Sequence, residues 1–323
     1  MRRFRIRPGL WAAAALATII LFGSRSSPAQ VKLEYKFPEG QKLTFKTTSK
    51  TSQVLTLMGQ GIETESKETV VTSSAVGKKR ADSTVPVDEK VESLNVELSL
   101  PGGMMISYDS KDPHGKIDNP QLAFLVEVYK LVSQLAYTVV LDGQNKVKAV
   151  EGTEKLLEKA NALDEMAKQT IRSRLDAQRL KAQFEQSHAN LPEVLARPGE
   201  PWERTEKLEL GGGQTLTFHK KYEYAGNEKR GNATLDKINV KTTEVSYTMD
   251  PNSPSSLKVT KSDLKVESGT GAILFDREGG HVVTVNGKIH IKGSMTFTAA
   301  GQEIPGEIEL TIESDTELQP AAK

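Results

Sequence analysis

The spacing of apolar residues divides the chain into three regions. Residues 31–110 and 203–314 contain stretches in which apolar and polar side chains alternate, which is the period of half-buried strands. Between them, over about residues 119–192, the apolar residues recur with the period of a helix. The pattern predicts an α+β fold in which two β-rich segments flank a helical insert.

The first helix of the insert is predicted over Asn119–Tyr137, with its first residue as the N-cap. Only a narrow stripe, formed by Glu127, Lys130 and Gln134, is polar, and most of the remaining surface is apolar. Such a helix has to be covered on more than one side. We therefore expect this central helix to lie against the concave face of a strongly curved sheet.

A second helical region is predicted from Thr153 to about Asn190, and Asp176 is a candidate start for a separate helix within it. Because this region is rich in Lys, Glu, Arg and Gln, we expect it to lie across the outside or the rim of the fold. Prolines end it, and Trp202 then leads back into β-patterned sequence.

The two β-rich segments predict a half-barrel-like antiparallel sheet of about ten to thirteen strands. Asn286-Gly287 is the strongest signal for a two-residue hairpin turn. The segments also resemble each other, since Gly40–Phe45 matches Gly213–Phe218 at five of six positions. Both a duplication into two similar halves and chance similarity of β-meanders account for this echo. Two shorter matches follow in the same order: Ser93–Glu97 with Asp263–Glu267, and Met105–Asp109 with Ala272–Asp276.

Residues 1–29 have the pattern of a secretory signal peptide. Four arginines precede the apolar run Leu10–Gly23, and Ser27-Pro28-Ala29 supplies small residues for cleavage. The run has 14 residues, whereas a spanning helix needs roughly 20; an uncleaved anchor is the alternative. We expect a periplasmic or extracellular protein, soluble after cleavage, with one β-rich domain over 30–318 and a disordered tail over 319–323.

Charge and cysteine content narrow the functional classes. Without the five arginines of residues 1–29, the chain has 38 basic and 42 acidic residues, a net charge of −4. This balance argues against nucleic acid as a partner, because phosphates require a basic surface. The chain has no cysteine, so disulfides, thiolate chemistry and a lipid-modified cysteine are excluded.

Few residues suggest catalysis or metal binding. His281 and His290 are the best metal candidates, but a third ligand of known spacing is missing and both are expected to face solvent. Asp109 and Asp276 each end a strand, so a paired-carboxylate hydrolase and simple turn formation are both open. No phosphate loop or nucleophile elbow occurs in the sequence. We predict no catalytic residue, no metal and no cofactor.

Several short segments carry a family resemblance: Leu191-Pro192, Pro198–Trp202, Thr215–Tyr224, Gly271–Gly279 and Ile106–Ser110. In these segments the chain resembles a family of secreted bacterial proteins, common in planctomycete-type genomes, whose function is unknown. This resemblance implies no activity. A curved sheet over helices is also similar in architecture to the periplasmic lipoprotein-carrier half-barrels.

The central helix suggests a function. If it fills the concave side incompletely, an apolar pocket remains beside it. The sequence thus favours non-catalytic binding of a lipid or a lipidated protein. A structural or protein-interaction module with a fully packed core is the alternative, and a hydrolase is the third hypothesis. The residues expected to line the pocket are Phe124, Val128, Tyr129, Leu131, Leu135 and Trp202.

Overall fold

The computed structural model describes residues 30–117, 120–211, 213–250, 253, 258–299 and 301–320. The predicted signal peptide and the predicted N-cap Asn119 lie outside the described residues, as do positions 321–323 of the predicted tail. Within the described residues no helix is both long enough and apolar enough to cross a membrane.

Thirteen strands in the described part of the chain form one antiparallel sheet, which confirms the predicted α+β architecture. The strands are β1 (Lys42–Leu57), β2 (Gln60–Val76), β3 (Val85–Leu100), β4 (Met104–Asp109), β5 (Asp112–Ile117), β6 (Ala136–Leu141), β7 (Val147–Glu151), β8 (Trp202–Gly211), β9 (Gln214–Arg230), β10 (Ala233–Met249), β11 (Lys258–Asp276), β12 (His281–Ala299) and β13 (Gln302–Leu318).

The two β-rich segments join in the middle of the sheet. The strand order is β5-β4-β3-β2-β1-β13-β12-β11-β10-β9-β8, and β6 pairs with the first half of β3. The central pair, β1 with β13, runs in register from Phe45 opposite Leu318 to Leu57 opposite Gly306. Because this pair connects the start of the domain to its end, both segments contribute to one continuous curved surface.

The predicted hairpin at Asn286-Gly287 is wrong. Both residues lie inside β12, which pairs along its length with β11 and β13. Gly287 lies opposite Gly271. A Cβ added at Gly271 would be 2.4 Å from the carbonyl oxygen of Asn286. The Asn286 side chain accepts a hydrogen bond from the backbone N–H of Ala272 at 3.1 Å. Two flanking strands satisfy the backbone here, and glycine permits their close approach.

The central helix is shorter than predicted. A 3₁₀ turn at Pro120–Leu122 leads into α1 (Ala123–Val132), and the chain is already in a strand at Ala136. The predicted end at Tyr137 is too late because the apolar residues after α1 continue without a break into β6, where Val139 and Leu141 are completely buried beside β3. Helical periodicity cannot separate an apolar helix end from the start of a buried strand.

Helix α1 is covered on two sides, as expected. Val126 and Tyr129 pack against buried residues of β3 and β4, on the face of the sheet that carries Leu94 and Ile106. On its other side, Leu131 packs against the following helices. We call the face of the sheet that α1 contacts the inner face.

The second helical region forms three helices: α2 (Glu154–Ala160), α3 (Glu165–Arg174) and α4 (Ala177–His188). The predicted separate start at Asp176 is confirmed, because its carboxylate caps α4 by accepting a hydrogen bond from the N–H of Arg179 at 2.9 Å. Helix α4 has the expected position at the rim, because only Leu180 and Phe184 are buried and its other residues are exposed or partly exposed. Its Phe184 is 7% exposed and packs with Phe37 and the β6–β7 hairpin against the inner face.

The internal echo corresponds to a shared local structure. Gly40 and Gly213, with φ of +81° and +77°, each form a turn before a long strand. The second match falls on β3 and β11, but the third places Met105–Asp109 on β4 and Ala272–Asp276 again on β11. The third match therefore does not join equivalent strands of two halves.

Candidate binding site in the hollow of the sheet

A cavity of about 670 Å³ lies between the inner face and helix α4, and we call it the hollow. The strands from β3 through the central pair to β8 form its floor, and β6, α4 and the segment before β1 close its sides. Its apolar lining includes Phe37, Leu43, Phe45, Val76, Phe184, Phe218, Val240, Ile273, Val282, Val285, Ile289 and Ile312.

Small side chains on the floor create the space. Gly271 and Gly287 lie opposite each other on β11 and β12 and leave a gap in the inner face. Beside them the floor carries short hydroxyl side chains, and the hydroxyls of Thr47 and Thr316 are 2.9 Å apart across the central pair. This bond satisfies part of the hydrogen-bonding capacity of the two hydroxyls, which lowers the cost of covering this polar part of the floor with an apolar ligand.

One ionic cluster at the β8–β9 side of the hollow is satisfied internally. The Lys220 ammonium pairs with the carboxylate of Glu206, which also accepts a hydrogen bond from the hydroxyl of Tyr222. Burial, together with the adjacent Glu206 charge, raises the pKa of Tyr222 above its ordinary range. Tyr222 therefore stays protonated and donates to Glu206, and the cluster orders the wall.

Glu89 is a second acidic group in the hollow and has a different environment. It is partly buried on β3, opposite Ser74 on β2 and Tyr137 on β6. Burial raises its pKa to about 7, and a hydrogen bond from the Ser74 hydroxyl opposes this shift only in part. At neutral pH, Glu89 is thus close to its midpoint of ionisation, which is unusual for a glutamate.

Helix α4 contributes a neutral histidine to the hollow. His188 stacks on Phe184, with ring centroids 4.2 Å apart, and burial lowers its pKa. Its Nδ1 lies 2.8 Å from the Phe184 carbonyl oxygen, an acceptor, so Nδ1 carries the proton and donates. The imidazole therefore adds aromatic surface and no charge at neutral pH.

The residues predicted to line a pocket lie elsewhere. None of the six borders the hollow. Phe124, Val128, Leu131 and Leu135 belong to the cluster between α1 and helices α2 and α3, and Tyr129 packs on β3 and β4. Helices α2 and α3 cover this side of α1, so no pocket remains there. The open space lies over the inner face of the central strands instead.

Trp202 has a packing role beside the hollow. Its ring stacks on Tyr222 at 5.8 Å between centroids, and its Nε1 donates a hydrogen bond to the Asn190 carbonyl oxygen at 3.0 Å. Sequence reasoning missed Glu89, although it alternates with the apolar residues Val87 and Val91 on β3. A carboxylate in phase with buried valines is the signal that identifies it.

The other chemical candidates have ordinary partners. The two histidines, which were expected to face solvent, have separate surroundings: His290 bonds Glu309 at 2.8 Å, whereas His281 borders the hollow at the start of β12. The turn role of the aspartates is confirmed, because Asp109 accepts from the N–H of Lys111 at 2.8 Å and Asp276 accepts two such bonds. No group of three metal ligands occurs among the described residues.

Two of the solved structures that resemble this chain are distant from it in sequence. Lipovitellin, described for its lipid–protein interactions, is 9% identical with a TM-score of 0.42, over 89% of this chain and 26% of that one. This chain thus spans about a quarter of the lipovitellin chain. An outer membrane channel from Pseudomonas putida is 7% identical with a TM-score of 0.18, over 88% and 98% of the two chains. A comparison with curated proteins finds no match.

The family comparison covers most of the domain. The matching model describes a family of unknown function, DUF6263, and extends over residues 82–317. This range contains α1 to α4 and begins just before β3, so β1 and β2 lie outside it. The match confirms the expectation of a family without an assigned activity: the chain belongs to the DUF6263 family of unknown function.

Proposed function

We propose that the protein binds an apolar ligand, or the acyl chain of a lipidated partner, in the hollow and does so without catalysis. The observation that supports this function is the cavity of about 670 Å³ with its largely apolar lining. Sites for small ligands have volumes of roughly 300–1,000 Å³ and are mostly apolar with a few polar groups.

The distribution of packing favours binding over the purely structural alternative. Two apolar clusters, one around α1 and one that includes Val31 and Leu33, consist of buried residues packed together, as a structural module requires. The inner face of the central strands is different, since Phe45, Val285 and Ile289 are only partly buried there. Apolar side chains that face a cavity gain about 25 cal/mol per Å² when a ligand covers them.

Gly287→Phe is expected to weaken the binding of a fluorescent fatty acid by about tenfold or more, equivalent to roughly 1.4 kcal/mol. Position 287 lies between the inward residues Val285 and Ile289, and the nearest atom to an added Cβ is the Thr270 carbonyl oxygen at 3.7 Å. A phenyl group there would occupy the ligand's space. The change in probe fluorescence on titration measures the effect.

Gly61→Phe is the matched control. Gly61 is exposed near a hairpin and has nothing within 4 Å of an added Cβ, so probe binding should not change. Urea melts of both variants establish that the fold is intact. If the unmodified protein binds no apolar probe, the binding function is refuted and the structural alternative takes its place.

We also propose that residues 1–29 direct export to the cell envelope and are then removed. The basic start, the apolar run and the small residues at the end support this proposal. Changing Leu16 and Ile19 to Lys is expected to keep the precursor in the cytoplasm, while Thr18→Ser should have no effect. Fractionation and the mass of the product provide the test, and a shortened periplasmic product from the double variant would contradict it.

A further inference from the structure

Glu89 is placed where an apolar side chain would be expected. The neighbouring inward residue Val87 has no exposed surface. Val87 belongs to an apolar cluster that also contains Val76 and Val139. Glu89 itself borders the hollow. An ionised carboxylate in such surroundings is costly unless it is paired, so a ligand that covers it has to supply a partner or hold it protonated.

The protein itself supplies no cation to Glu89. Its hydrogen-bond partner is the hydroxyl of Ser74, and in the described part of the chain no Lys, Arg or His lies within 4.0 Å of its carboxylate. The lysines that border the hollow have other surroundings. Lys220 pairs with Glu206, and the Lys36 ammonium donates to two backbone carbonyls at 3.0 and 3.1 Å. Lys207 is exposed to solvent.

We propose that the ligand of the hollow is a cationic amphiphile, an apolar chain ending in a primary ammonium group that pairs with Glu89. This inference rests on the proposed function and names the class of ligand. The ammonium group brings three N–H donors, for which Glu89 and the oxygen atoms of Ser74 and Tyr137 are the acceptors at this side of the hollow. The apolar chain then extends along the floor past Phe45 toward Val285.

An anionic amphiphile fits this site less well. Its head group would meet an acidic residue at Glu89, and at the opposite side Lys220 is already neutralised by Glu206. A neutral alcohol would satisfy a hydrogen bond but would leave an ionised Glu89 without a counter-charge. Charge-assisted hydrogen bonds are about twice as strong as neutral ones, so the amine should bind more tightly than an alcohol of equal length.

The preference should depend on pH through Glu89. Tyr137 on β6, whose pKa burial raises, lies opposite Glu89, and Gln183 and neutral His188 on α4 border the same hollow. On its own strand, Asp88 is exposed and bonds the Thr138 hydroxyl at 2.7 Å. None of these supplies a positive charge at neutral pH. As the pH rises and Glu89 ionises, the amine should therefore bind more tightly, whereas the alcohol, which offers the ionised carboxylate no counter-charge, should bind less tightly.

The experiment measures binding of dodecylamine, dodecanol and laurate by displacement of a fluorescent apolar probe, below the concentration at which each amphiphile aggregates. At about pH 8, dodecylamine is expected to bind about tenfold more tightly than dodecanol. Glu89→Gln should remove this preference, because it takes away the partner of the ammonium group and also the unpaired charge that disfavours dodecanol. Glu92→Gln, on the same strand but paired with Lys90 at 2.6 Å, is the control and should retain the preference.

The possible outcomes separate the two proposals. Equal binding of all three compounds, or tighter binding of laurate, overturns the cationic ligand but leaves the apolar binding function standing. A preference for the amine that survives in Glu89→Gln also overturns the inference, because another group would then recognise the ammonium. No displacement by any compound overturns the binding function itself and the inference with it.

Discussion

Leu131→Ala is expected to lower the free energy of unfolding by about 2–5 kcal/mol. Leu131 is 8% exposed on α1, and it packs with Ile171 and Leu175, which are almost completely buried. Truncation removes apolar contacts and leaves a cavity between α1 and α3 that the surrounding helices fill only in part. Urea denaturation of the purified variant measures the change.

Glu127→Ala is the matched control on the same helix. The Glu127 side chain is about half exposed, and its ion pair with Lys130 spans 3.9 Å, so its loss should cost less than about 0.5 kcal/mol. Equal destabilisation by both variants would mean that α1 is not a core helix. A small effect of Leu131→Ala alone would mean that α2 and α3 do not cover it tightly.

The strands were predictable because their signal is local. Alternation in a segment such as Leu94–Leu98 shows directly which face is buried, and the structure buries Leu94 and Val96 on that face. The start of α4 was also readable, since Asp176 caps it through a backbone N–H only three residues away. Signals that depend on a few neighbouring residues can be read without knowledge of the fold.

The hollow was not predictable from the same signals. Its floor requires β1 to pair with β13, and residues such as Thr47 and Thr316 that meet there are distant in sequence. The prediction placed the pocket beside α1 because periodicity shows that a helix must be covered but does not show which element covers it. At Asn286-Gly287 the local turn preference was overridden by two long neighbouring strands.

Glu89→Gln is expected to stabilise the protein at about pH 8 and to have almost no effect at about pH 4. In the folded protein burial raises the Glu89 pKa to about 7, whereas in the unfolded chain it has its ordinary value of about 4.5. Below both values the carboxyl group is protonated in both states and contributes nothing. Between them the folded state binds more protons, so stability falls as the pH rises, by about 3 kcal/mol in total.

Glutamine removes this pH-dependent loss because its side chain is neutral in both states and similar in size. Urea melts between about pH 4 and pH 8 should therefore show the two proteins diverging, with the variant more stable at the alkaline end. Glu92→Gln should not do this, since the hydrogen bond from Lys90, followed by that from Ser73, holds the Glu92 pKa below its ordinary value. A constant difference between Glu89→Gln and the unmodified protein at every pH would show that Glu89 is ionised normally, and the hollow would then be open to water at that point.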